Sequence, residues 1–112
     1  MAEKPLIWLG DSRDKIRGFP DAARQIAGFQ LWRVQCGLEP NDWKPMPSVG
    51  PGVQEIRIHT GAEHRVFYIA KFAEAVYLHA FEKRTRRTPQ NDLDLARHRL
   101  GLLLQQRARR KG

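Results

Sequence analysis

Val53-Gln54-Glu55-Ile56-Arg57-Ile58-His59, His64-Arg65-Val66-Phe67-Tyr68-Ile69-Ala70-Lys71-Phe72 and Ala75-Val76-Tyr77-Leu78-His79-Ala80-Phe81 follow one another in the second half of the chain. In the first run Ile56 and Ile58 alternate with Glu55, Arg57 and His59, the period-2 pattern of a strand with one buried face. The other two runs are rich in β-branched and aromatic residues and read as a second and a third strand. The joints Thr60-Gly61-Ala62-Glu63 and Ala73-Glu74 are too short for a crossover, so the three strands form an antiparallel meander.

Outward from this meander the periodicity is helical. After it, Thr88-Pro89 starts a last helix with Asp92 and Asp94 near its positive end and a basic C-terminus. Leu93, Ala96, Leu100, Leu103 and Leu104 form its inner stripe. The Arg-rich end after Gln106 is expected to fray. Before the meander, Glu39–Gly52 has four prolines and two glycines and reads as a loop. A helix from Pro20 to about Cys36 carries Ala23, Ile26, Ala27, Leu31 and Val34 on one face, with Gly37 as its terminator. A short helix, Ser12–Gly18, precedes it, and Pro5–Leu9 opens the chain as a strand. The order is strand, two helices, three-stranded antiparallel meander, helix: one α+β domain spanning residues 1–112, with its helices on one face of the sheet.

Twenty Lys and Arg stand against twelve Asp and Glu, a formal charge of +8. Residues 1–60 hold 8 basic and 7 acidic side chains, and residues 61–112 hold 12 and 5, so the excess is concentrated in the second half. A localised basic excess is the footprint of a polyanion partner. The single cysteine, Cys36, excludes an internal disulfide and a thiol zinc cluster. His59, His64, His79 and His98 lack metal-ligand spacing, there is no phosphate-binding glycine loop, and the acidic residues form no obvious catalytic pair. No cofactor is expected. Apolar runs are shorter than a membrane span and no signal segment opens the sequence, so a cytoplasmic protein with no membrane partner is expected.

If the face opposite Ile56 and Ile58 looks outward, Arg57, Arg65 and Lys83 converge there, with Arg84, Arg86 and Arg87 at the rim. The same alternation puts Tyr77, His79, Phe81 and Lys83 on one side of the third strand. Such a surface can grip RNA phosphates, and it can cleave RNA through the substrate's own 2′-OH. His59 or His79 can move protons near neutral pH. Trp8, Phe29 and Trp32 are candidate partner anchors, two of them expected in the core.

Several stretches resemble the phage-derived HigB-like branch of the RelE/ParE toxin superfamily. They are Val34-Gln35-Cys36-Gly37, Trp43-Lys44-Pro45-Met46, Gly50-Pro51-Gly52-Val53-Gln54-Glu55-Ile56-Arg57-Ile58, His64-Arg65-Val66-Phe67-Tyr68, Leu78–Pro89 and Asp94-Leu95-Ala96-Arg97. The resemblance covers residues 34 to 99. It implies a RelE-like fold and the toxin of a type II toxin–antitoxin pair, a ribosome-dependent, metal-independent mRNA endonuclease (mRNA interferase) that inhibits translation. It also implies a cognate helix-turn-helix antitoxin and a ribosome carrying mRNA as partners. Carried over by motif, Arg57, Arg65, Lys83 and Arg84 are catalytic, and Lys44 contacts RNA or stabilises its loop; His59, His79, Arg86 and Arg87, placed by strand alternation and charge on or beside the same surface, are expected to contact RNA as well. Thr85-Arg86-Arg87-Thr88-Pro89 stands where the best-known RelE members carry a tyrosine, so the resemblance names no proton-transfer residue. A ParE-like gyrase poison and a non-catalytic nucleic-acid-binding module are the alternatives.

Overall fold

The computed structural model describes residues 3–111. The elements run β1 (Leu6–Trp8), α1 (Ser12–Arg17), α2 (Asp21–Gln35), β2 (Trp43–Pro45), β3 (Val53–His59), β4 (Glu63–Ile69), β5 (Ala75–Lys83) and α3 (Gln90–Lys111). The strands make one mixed sheet ordered β1-β5-β4-β3-β2. The β3–β4–β5 meander is antiparallel, and β1 pairs in parallel with β5. The expected α+β architecture holds, and it is compatible with a RelE-like fold.

The layering and the sheet edge both differ from the sequence reading. The helices lie on both faces of the sheet rather than one. Ile16, Ala23, Ala27, Leu31 and Val34 of α1 and α2 pack on Ile56, Ile58, Val66, Tyr68 and Tyr77. Ala96, Leu100 and Leu103 of α3 pack with Val53, Phe67, Ile69, Val76 and Phe81 on the other face. The central strands are therefore apolar on both sides over much of their length, which is why runs such as Val66–Ile69 carry no polar break. The second difference is β2, three residues inside the proline-rich segment, where Trp43, Lys44 and Pro45 pair with Ile56, Glu55 and Gln54. Its edge position tolerates the proline.

A bulge in β5 re-aims its side chains. Phe67 stands opposite His79, yet Tyr68 stands opposite Tyr77, so Leu78 is an extra residue. Tyr77 consequently points into the α1/α2 layer, whereas His79, Phe81 and Lys83 take the α3 side. The expected grouping of Tyr77 with these three is corrected by that one residue. In α2, Ile26 is exposed and Gln30 takes its place in the buried stripe, its Oε1 accepting the Asn41 backbone N–H at 2.8 Å. Of the three candidate anchors only Trp8 packs inward, on Tyr77 with ring centroids 5.0 Å apart, while Phe29 and Trp32 are exposed. α3 carries the basic end as helix as far as Lys111, where fraying was expected.

Among the described residues, no helix is long and apolar enough to cross a membrane.

Candidate active site

Pairing register places the charged residues. Arg57, Arg65 and Phe81 stand opposite one another across β3, β4 and β5. The next row outward is His59, Glu63 and Lys83; the next row inward is Glu55, Phe67 and His79, with Lys44 of β2 opposite Glu55. Residues two apart on a strand share a face, so all of these side chains belong to the α3 side of the sheet. The apolar part of that face lies under α3, and its polar end carries the charges.

At the centre sits Glu55, whose side chain is 1% exposed. Its Oε1 lies 3.7 Å from Arg65 Nε and 4.0 Å from Lys44 Nζ, close enough for attraction but beyond hydrogen-bond length. Five buried side-chain polar atoms among the described residues lack a hydrogen-bond partner, and four are here: both Glu55 oxygens, Arg57 Nε and Arg65 Nε. Each such orphan costs about 1–3 kcal/mol. Native interiors satisfy nearly all of their polar atoms, so four in one place single this cluster out as the candidate site. Burial holds the Glu55 carboxyl above the usual glutamate range, the attraction of Lys44, Arg65, Lys83 and Arg57 only partly offsetting it. Burial likewise lowers Lys83, and repulsion from Arg65 adds to it. A carboxyl raised and an ammonium lowered on one face of the sheet are each shifted in the direction that suits accepting and donating a proton.

Arg65 supports this centre from within. Its side chain is 3% exposed; Nη1 donates to the His64 carbonyl at 3.0 Å and Nη2 to Glu63 Oε1 at 3.0 Å. His59 bridges Glu63, 2.7 Å from Nδ1, and Asp42, 2.6 Å from Nε2. Glu63 and then Asp42 raise its pKa, favouring the imidazolium. The two carboxylates hold opposite ring nitrogens and so do not converge on a point where a cation would sit.

Not every residue singled out by sequence joins this group. Lys44, Arg57, Arg65 and Lys83 surround Glu55, and His59 stands at the margin. Arg84 lies past the end of β5, exposed, and pairs with Glu82 at 3.0 Å. Arg86 and Arg87 are exposed in the loop before α3. His79 is buried, its Nε2 held 2.6 Å from Asp92 at the start of α3, and its ring stacks on Phe81 at 5.4 Å. It fastens α3 to the sheet and is only 3% exposed. The residue that sequence reading passed over is Glu55 itself. The strand alternation had already put it on the face of Arg57 and His59, but a lone glutamate in a basic stretch looks like a solvated charge.

The arrangement can therefore bind an anion between Arg57, Lys83 and Lys44 and exchange a proton with it through Glu55. No curated protein matches the chain. The sequence model of the phage-derived Gp49-like proteins (DUF891) matches residues 14–101, from α1 into α3 and across the entire site. The chain thus belongs to the phage-derived Gp49-like family, a toxin-like family of the RelE/HigB type.

Proposed function

We propose that this protein is the toxin of a type II toxin–antitoxin pair, close to the HigB-like branch, and that it cuts translated mRNA on the ribosome. The observation that carries the reading is the buried, unbonded carboxylate of Glu55 ringed by Lys44, Arg57, Arg65 and Lys83. RNA supplies its own nucleophile, so the chain needs only a base, an acid and positive charge.

Arg57 and Lys44 take the non-bridging oxygens of the scissile phosphate, and Lys44 leaving Glu55 uncovers the carboxylate. Glu55 removes the 2′-OH proton, and O2′ attacks phosphorus. Negative charge grows on the phosphoryl oxygens, where the cations stabilise it. Lys83, an easier proton donor than an ordinary lysine, protonates the departing 5′-oxygen. The products are a 2′,3′-cyclic phosphate and a 5′-hydroxyl. Arg65 is a positioning residue, its buried fork holding Glu63 and facing Glu55. Arg84, Arg86 and Arg87 extend the basic rim toward the rest of the RNA, and a helix-turn-helix antitoxin neutralises the protein in the cell.

Induction in a bacterial host tests this. Growth should stop, mRNA ends should appear inside translated frames, and plasmid supercoiling should be unchanged. Arrest with intact transcripts would contradict the nuclease, and accumulating gyrase–DNA cleavage complexes would replace it with the gyrase reading.

A further inference from the structure

The outer pairing of β3 ends at Arg57, whose backbone N–H donates to the Asp42 carbonyl at 2.9 Å, and beyond it the strand has no partner on that side. Between this free edge and α2 lies a cavity of about 460 Å³. Ile26 and Phe29 of α2 form its apolar wall, both exposed to it rather than packed in the core. Asn41 and Asp42 give the opposite side hydrogen-bonding groups, and Arg57 and His59 stand where it meets the charged cluster. Phe29 is not loose: its ring stacks against Trp32 with centroids 6.0 Å apart, and the Arg33 guanidinium lies 6.0 Å from it.

We infer that this cavity is a subsite for one unpaired nucleobase of the RNA, adjacent to the phosphate that is cut. The inference rests on the nuclease reading above and extends it from the phosphate to the base. Arg57 belongs to both places: it lines the cavity, and it is close enough to Glu55 to favour its ionised form. Its buried Nε has no partner in the protein. A nucleotide whose phosphate meets Arg57 can lay its base on Phe29, the sequence-tolerant stacking that single-stranded RNA sites use. Asn41 and Asp42 then face the polar edge of that base and can discriminate among bases. The volume lies within the range of small-ligand sites. At the margin of this space His59 and Asp42 are bonded to each other at 2.6 Å, a polar border beside the apolar wall of Ile26 and Phe29.

The test uses the full-length protein and short 2′-O-methyl oligoribonucleotides, which bind but cannot be cut, with an abasic residue at each position in turn. At one position, loss of the base should weaken binding by about 5- to 150-fold, the value of one base–aromatic stack. Phe29→Ala should weaken the intact oligonucleotide equally and leave the abasic one unaffected, whereas Lys83→Met should weaken both. Equal affinity for intact and abasic oligonucleotides would overturn the subsite, as would a Phe29→Ala protein that still tells them apart; either result would leave Phe29 as a surface for a protein partner. If base discrimination survives but the wild type cuts no mRNA on ribosomes, the nuclease reading fails and the subsite stands.

Discussion

Glu55→Gln is expected to lower mRNA cleavage by about 10²- to 10⁴-fold, the range contributed by a positioned general base, without a loss of thermal stability. The substitution keeps shape and removes the charge that burial disfavours, and it does not strand Arg65, which keeps its ion pair with Glu63 at 3.0 Å. The stability part has a definite sign. Glu55 has its folded-state pKa raised, so its favourable contribution is fully present below the pKa of the unfolded chain and is lost as pH rises through the folded value. The variant has no such loss. Its melting temperature should equal or exceed that of the wild type at neutral pH, and the gap should close on acidification across that window. Calorimetry at several pH values, beside a cleavage assay on translating ribosomes, reads both effects. A variant that is inactive because it is unfolded would show a lower melting temperature at every pH.

Arg65→Ala should behave in the opposite way. From sequence, Arg65 is a catalytic cation converging with Arg57 and Lys83 on the outer face, so its removal should silence the protein and leave the fold intact. Its burial against Glu55 changes that expectation. Taking one partner from a buried ion pair strands the other and costs about 3–5 kcal/mol. For a chain of this size that is a fall of more than about 10 °C in melting temperature. Adding Glu55→Gln to Arg65→Ala should recover part of the loss, because the stranded charge is gone, and the two effects will not add. Lost cleavage with an unchanged melting temperature would make Arg65 a substrate contact.

The meander was legible because Ile56 and Ile58 alternate with polar residues and the joints are short, which leaves few ways to pair the strands. Two-sided burial was less so. Runs such as Val66–Ile69 lack alternation, and nothing in them says which helix covers which side. The β5 bulge has no sequence signature beyond a continuous apolar run, yet it alone separates Tyr77 from His79. Lys44, Arg57, Arg65 and Lys83 could be chosen by charge and spacing. Their common anion could not, since a glutamate shows its importance only when burial and missing hydrogen bonds become visible. Arg84 illustrates the reverse: beside Lys83 in sequence, it falls past the strand end and pairs with Glu82.

The chemistry of the RNA ends tests the role of Glu55 most directly. With translating ribosomes and purified protein, the upstream fragment should end in a 2′,3′-cyclic phosphate and the downstream fragment should begin with a 5′-hydroxyl, and Glu55→Gln should yield almost none of either. Ends bearing a 3′-hydroxyl and a 5′-phosphate, or undiminished cutting by Glu55→Gln, would contradict a mechanism in which this buried carboxylate activates the substrate's own hydroxyl.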